Sequence, residues 1–489
     1  MRIKRTLYLV GKILLIVAGC MLLPLLVALI YKDGDAAAFM QTIPIVAGCG
    51  AALMLGCRNA RFQPFRQRES FFLVGFSWIL ISLLGALPYI FSGVFVNFAD
   101  ALFESASGFT TTGASVMTKI EGTPRGILFY RSMSQWLGGA GIVLLFIALL
   151  QKTSNRGEET NMYKAEYSGG VLAERVEARI SDNAKVIAGV YLALTVACVL
   201  LLRLGGMDMY ESLVHSFSTI STGGFSTRDL SIGAFDSAYI EWVVTAFMFL
   251  SGVNLALFYM LFVRNRRRHA LANEELRVYT LLMLALTLVI SVFLIREDYY
   301  AGASVGYVIR KAAFQTISIT TTAGFCSDNY DLWPLFPRFI LYLLLFVGGC
   351  SGSTASGVKI SRWIIGLKAT YSELSTLFHP QMYRRVYYNR KLLSATTVRN
   401  VMYFFFMYMT LALIGALALA AGDLTVAEAF ASSLACLGNV GPAMHLIGPA
   451  GNYAHIPEVG KYILSFLMLA GRLEVYTMLV LFVPGIWKD

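Results

Sequence analysis

The sequence predicts an all-α polytopic membrane protein with ten transmembrane helices, eight of them grouped as four pseudo-repeated helix–pore-loop–helix units. Three observations predict it. The 489 residues are 57% hydrophobic and 14% charged, against about 25% charged in soluble domains, and several apolar runs reach the roughly 20 residues that cross a bilayer as helix. A run of small and hydroxyl residues closing on a glycine recurs four times between apolar stretches: GFTTTGAS (Gly108–Ser115), TISTGGFS (Thr219–Ser226), ITTTAGFC (Ile319–Cys326) and LGNVGPAM (Leu437–Met444). Basic residues gather in alternate linkers, the positive-inside pattern.

Taken in order, residues 1–69 hold two spans, near 7–30 and 38–57. The first has no A-x-A-like site after it and reads as an uncleaved helix. Repeat one (70–151) runs as an outer span 70–92, a short re-entrant helix 99–110, a loop 111–118 and an inner span 125–151. Repeat two (184–263) runs 184–204, 210–221, 222–229 and 238–263; repeat three (277–368) runs 277–296, 304–320, 321–330 and 337–368; repeat four (398–489) runs 398–421, 426–437, 438–452 and 459–484. The copies align without gaps over Phe103–Gly113, Val214–Gly224, Phe314–Gly324 and Ala431–Gly441. Their third positions are Ser105, Ser216, Thr316 and Ser433.

Parity fixes the topology. With Arg2, Lys4 and Arg5 inside, the linkers 58–69, 152–183, 264–276 and 369–397 all fall inside, carrying among others Arg58, Arg61, Lys152, Arg156, Arg264, Arg266, Arg384 and Arg385. This holds only if the short helices dip in and return to the outside, and it places both termini in the cytoplasm. The net charge of +11 is then a membrane-topology signal and not a nucleic-acid one. Seven cysteines without a CxxC pair and five scattered histidines offer neither a disulfide frame nor a metal set. There is no phosphate loop, no convincing GxGxxG after a strand and no HExxH. No cofactor site or catalytic cluster is visible, so the chain reads as no enzyme.

Backbone at membrane depth is tolerated only in a protein interior or around a wet cavity. Segments such as Thr110-Thr111-Thr112-Gly113 therefore belong inside a ring, where glycine gives the backbone unusual conformations. Each short helix points its negative C-terminal end at the centre, which favours a cation. No loop has a carboxylate before its glycine, which argues for a carbonyl-lined path and a monovalent ion rather than an Asp/Glu ring.

These loops, together with GGCSGSTASG (Gly348–Gly357) and GRLE (Gly471–Glu474), resemble the Trk/Ktr/HKT superfamily of potassium transporters, and specifically its bacterial Trk branch. The resemblance covers nearly the whole chain. It implies four pore-loop repeats around one ion path per subunit, usually in a homodimer of the bacterial inner membrane, with K⁺ as the transported substrate. The ion-lining positions it implies are Thr111, Thr112 and Gly113; Thr222, Gly223 and Gly224; Thr322, Ala323 and Gly324; and Asn439, Val440 and Gly441.

The third inner span has 32 residues, about 48 Å as straight helix. Its centre, Gly348, Gly349, Cys350, Ser351, Gly352, Ser353, Thr354, Ala355, Ser356 and Gly357, is poor in helix formers. Either it is an unwound loop within the membrane or a tilted helix packed through small residues. The resemblance implies the loop, acting as a gate; Ala355-Ser356 stand where many relatives have glycine, which predicts a stiffer one. Arg472 lies 14 residues into its span, at a depth where a charge is costly. It reads as a structural anchor or, by resemblance, as a positive barrier working with the gate.

The inside linkers 152–183 and 369–397 carry Tyr163, Tyr167, Tyr383, Tyr387 and Tyr388 among their basic residues. They read as loops against anionic membrane lipid or as a docking face. The resemblance implies a cytoplasmic, TrkA-like partner that binds NAD(H) or ATP and opens the gate. Inward K⁺ movement needs no engine in this chain, since the membrane potential supplies about 2.3 kcal/mol per charge per 100 mV. The alternative is a K⁺ symporter coupled to H⁺ or Na⁺.

Overall fold

The computed structural model describes residues 3–60, 67–141, 180–262, 267–379, 385–422 and 424–484. The far part of the first inner span (142–151), most of the linker 152–183 with Tyr163 and Tyr167, and Tyr383 lie outside the described residues. Among the described residues, six helices are long and apolar enough to cross a bilayer: Ile3–Tyr31, Ala36–Gly56, Glu69–Phe91, Val186–Leu204, Glu274–Arg296 and Ala395–Ala420. The number rises to eight if two bent pairs each count as one span.

The helix starts follow from local chemistry. Asp208, Ser237, Asn273, Ser304, Ser394 and Thr425 each accept a hydrogen bond from a backbone N–H of the first turn that follows. Thr425 and Glu428 form a reciprocal capping box. The outer faces stay apolar and bare: Leu281, Leu284, Leu288 and Val292 all point out of the Glu274–Arg296 helix, a stripe that fits lipid and not water.

The N-terminal hairpin packs through glycine. A Cβ on Gly11 would lie 2.6 Å from Gly50 O, and one on Gly50 2.8 Å from Gly11 O, the close backbone approach small residues permit between membrane helices. Its outer turn then fastens onto the rest of the molecule. Asp33 accepts from Arg125 N (3.1 Å) and Asp35 from Ile127 N (3.0 Å), so two carboxylates sit on the positive end of the helix Arg125–Trp136.

Four short helices, Phe98–Phe109, Met209–Ile220, Val305–Thr320 and Val426–Gly438, run into the molecular interior, where the last three residues of each are buried. The helices that follow them do not continue straight. The sequence predicts unbroken inner spans at 238–263 and 459–484; instead Ala238–Ser251 meets Leu255–Phe262 at 94°, and Glu458–Arg472 meets Tyr476–Phe482 at 116°. In the third, helix stops at Leu344 and resumes at Ile360.

Candidate functional site

All four short helices end in the same way. The amides of Thr112, Gly223, Ala323 and Val440 donate to the carbonyls five residues back, on Ser107 (2.9 Å), Ser218 (2.8 Å), Ser318 (2.9 Å) and Ala435 (2.9 Å). The preceding amides, of Thr111, Thr222, Thr322 and Asn439, donate to Gly108, Thr219, Ile319 and Cys436 at 3.0–3.2 Å. This double closure requires a left-handed residue at the turn, a place usually given to glycine. Here Thr111, Thr222, Thr322 and Asn439 occupy it, with φ of 55°, 53°, 57° and 54°. Three β-branched residues in that region carry strain of about 1–3 kcal/mol each. Two residues on, the chain is left-handed again at Gly113, Gly224, Gly324 and Gly441.

Those glycines also close the ring. A Cβ on Gly113 would lie 2.1 Å from Gly223 O; on Gly224, 2.0 Å from Ala323 O; on Gly324, 2.2 Å from Val440 O; and on Gly441, 2.5 Å from Thr112 O. Each loop's glycine abuts the next loop's carbonyl, from the first loop round to the fourth and back to the first. Sequence reasoning assigns glycine here for backbone conformation alone; space is the second reason. It also misses the strained threonines, for which only Asn439, a residue tolerant of the left-handed region, was a signal.

Side chains brace the ring from behind. Gln135 Nε2 donates to Gly223 O (2.6 Å) while its Oε1 accepts from Phe225 N (3.2 Å). Asn439 Nδ2 reaches Thr112 Oγ1 (2.8 Å) and Met468 O (2.9 Å). Glu104 and Arg131 form a fully buried pair at 2.7 Å. Arg131 goes on to Ser226 O and Ser115 Oγ, and Glu104 accepts from Val116 N. In the next copy His215, which aligns with Glu104, bonds Ser226 Oγ (3.0 Å), which aligns with Ser115. Glu241 accepts from Arg310 (2.8 Å) and Lys311 (2.7 Å), and Lys311 also bonds Ser327 O. In the segment between the third loop and its inner helix, burial pushes the Asp331 carboxyl above its usual range, opposed by His445 beside it.

Beneath the ring, each inner segment departs from straight α-helix at or just after a small residue followed by glycine: Gly138-Gly139, Ser251-Gly252, Gly348-Gly349 and Ala470-Gly471. The first break is a π-helical turn over Leu137–Gly141. The third is the loop spanning residues 345–359. Its neck is closed by Gly348 N to Val358 O (2.9 Å) and Ile360 N to Gly349 O (3.1 Å). It docks on the second break through Cys350 N to Gly252 O (2.9 Å) and Leu255 N to Gly352 O (3.1 Å). It meets the upper layer through Thr354 Oγ1 to Ile220 O (3.0 Å) and Ser356 N to Thr322 Oγ1 (2.9 Å). Gly352 and Gly357 are its left-handed residues; Ala355 and Ser356 are not, so their departure from glycine meets no backbone demand for one.

Arg472, the last residue of its helix, joins three segments. Nη1 donates to Thr354 O (3.0 Å) and Ser356 Oγ (3.1 Å), and Nη2 to Gly138 O (2.6 Å) and Gly139 O. Beside it, Arg362 pairs with Glu474, and Lys359 Nζ bonds Ala355 O. A small cavity remains between Ser353, Ser356, Lys359 and Arg472. No group of three or more metal-ligating side chains occurs among the described residues.

A sequence model of the TrkH family, described as a cation transport protein, matches residues 36–488. The chain is 37% identical to the Trk system potassium uptake protein TrkH of Escherichia coli K12 over 98% of both chains. It is 36% identical to the TrkH of Halomonas elongata over the full length of both. It is also similar to the crystal structure of the potassium transporter TrkH from Vibrio parahaemolyticus, with a TM-score of 0.89, 33% identity and complete coverage of both chains.

Proposed function

This chain belongs to the TrkH family of cation transport proteins, a transport family and not an enzyme one, and we propose that it takes up potassium across the bacterial inner membrane. Ten spans would surround one path, eight of them in four repeated units at 70–151, 184–263, 277–368 and 398–489, with both termini in the cytoplasm. K⁺ passes the loops at 111–113, 222–224, 322–324 and 439–441, shedding water for protein oxygens. It then meets the loop 348–357, which with Arg472 forms a gate and a positive barrier. The membrane potential drives the ion inward. Opening is controlled by a cytoplasmic TrkA-like partner that binds NAD(H) or ATP, and the working unit is a homodimer among membrane lipids.

The cyclic contact of each loop glycine with the next loop's carbonyl carries this reading, because it converts four separated segments into one closed aperture. The test is radioactive Rb⁺ uptake into K⁺-loaded liposomes holding the purified protein. Valinomycin-independent uptake that Gly113→Ser abolishes is the expected result. Persistence without Na⁺ and across pH makes the path channel-like; dependence on either makes it a symporter. Folded protein that passes no Rb⁺, even with its cognate nucleotide-binding subunit added, would sink the proposal.

A further inference from the structure

Glu275 holds three segments of chain at once. It lies in the first turn of the helix Glu274–Arg296 and is 1% exposed. Its Oε1 accepts from Ser351 N, inside the unwound loop, at 2.7 Å and from Ser361 N, in the first turn of the helix Ile360–Phe378, at 3.1 Å. Its Oε2 accepts from Tyr388 OH at 3.1 Å. Tyr388 belongs to a small antiparallel hairpin that pairs Tyr387–Tyr388 with Lys391–Leu392, within the inside linker 369–397. Glu274 grips the same hairpin, exchanging hydrogen bonds with Asn389 (2.8 and 3.1 Å) and pairing with Lys368. Of the two adjacent carboxylates, Glu275 is the one that continues from the hairpin to the loop.

A buried carboxylate is tolerable only while its oxygens are hydrogen-bonded. Removing one donor costs the full desolvation of the lone pair left behind and weakens the arrangement of the others. Hairpin and loop therefore share one energetic joint: a displacement of Tyr388 is felt at Ser351 and Ser361, and the effect is reciprocal. We propose that Glu275 is a positioning residue that ties the intramembrane loop to the inside hairpin, so that displacing the hairpin frees the loop. The inference rests on the reading of that loop as the gate, and it supplies the route by which a force on the cytoplasmic face reaches it.

The protein contains its own reporter. Cys350 is in the loop and 1% exposed, so its alkylation by a small thiol reagent, followed by peptide mass spectrometry, measures release of the loop; buried Cys198 and Cys436 report general unfolding. The experiment compares Tyr388→Phe, Glu275→Gln and the double variant as full chains in liposomes. Tyr388→Phe removes one hydroxyl and leaves the packing. It is expected to raise Cys350 labelling on the order of tenfold, the weight of one hydrogen bond to a charged group, with Cys198 and Cys436 still protected and Rb⁺ flux raised. The double variant is expected to fall short of the product of the two single effects. Unchanged Cys350 labelling in Tyr388→Phe, or strictly multiplicative effects in the double variant, overturns the joint. Labelling that responds as expected while no variant conducts Rb⁺ overturns the ion-path reading and leaves the joint standing.

Discussion

The ring and the layer beneath it each draw on four segments of chain, yet one is regular and the other is not. In the ring, four loops with different side chains share one backbone: φ of 53–57° at Thr111, Thr222, Thr322 and Asn439, and 74–90° at the four glycines. In the layer below, the four breaks are a π-helical turn, a 94° bend, a long loop and a 116° bend. The difference is steric. Each ring position needs only three residues, and four copies fit around one axis. A loop of the length of 345–359 fits once; the second segment is bent where it receives that loop, Gly252 O accepting from Cys350 N. In the function proposed above, the regular layer is the one assigned to the ion and the irregular layer the one assigned to gating.

The largest effect that tests this contrast is a methyl group in each layer. Gly224→Ala puts a Cβ 2.0 Å from the backbone oxygen of Ala323 in a left-handed conformation. Nothing there can swing aside, so the cost is expected to exceed about 4 kcal/mol, with loss of Rb⁺ flux and of folded yield. Gly352→Ala has a similar φ of 74°, but its nearest neighbours are side-chain atoms of Asn254 at 3.1–3.2 Å. That variant is expected to fold, at a cost of about 1–2 kcal/mol from backbone strain. Thermal unfolding in detergent compares the two. Equal costs would mean that the ring is no more constrained than the loop.

A smaller effect separates the wall of the ring from its rim. Arg131→Met keeps the volume beside Glu104 but strands a fully buried carboxylate. Breaking such a pair from one side costs about 3–5 kcal/mol, and Ser226 and Ser115 lose a donor as well. Adding Glu104→Gln should recover part of that loss, which thermal unfolding of the double variant measures. No recovery would show that Arg131 acts through Ser226 and not through Glu104.

The four short segments that close on a glycine were legible in the sequence because each is a pattern written in adjacent residues. The ion pair Glu104–Arg131 was not: its members are 27 residues apart, each a single charge in an apolar stretch, and only the fold brings them together. Gly252 and Gly471 were readable and missed. Small residue then glycine recurs in all four inner segments, as regular as the ring loops, but a lone glycine in a hydrophobic run passes for helix packing. The threonines at 111, 222 and 322 mislead outright, since β-branched residues argue against the left-handed region they occupy.

The finest break in the symmetry is a single hydroxyl. Among the four left-handed positions, Thr322 is the one whose side chain accepts from the loop, through Ser356 N at 2.9 Å. Thr222, its counterpart, turns its hydroxyl onto Ser221 O in its own segment. Thr322→Val preserves shape and β-branching and leaves the Ser356 amide without that acceptor, a loss of about 1 kcal/mol. The loop should loosen by the corresponding factor, roughly fivefold at RT near 0.6 kcal/mol, read as Cys350 alkylation and as a modest rise in Rb⁺ flux. Thr222→Val should leave Cys350 protected. If the two variants behave alike, the link between the layers does not pass through Thr322, and the ring and the loop are separate devices that happen to touch.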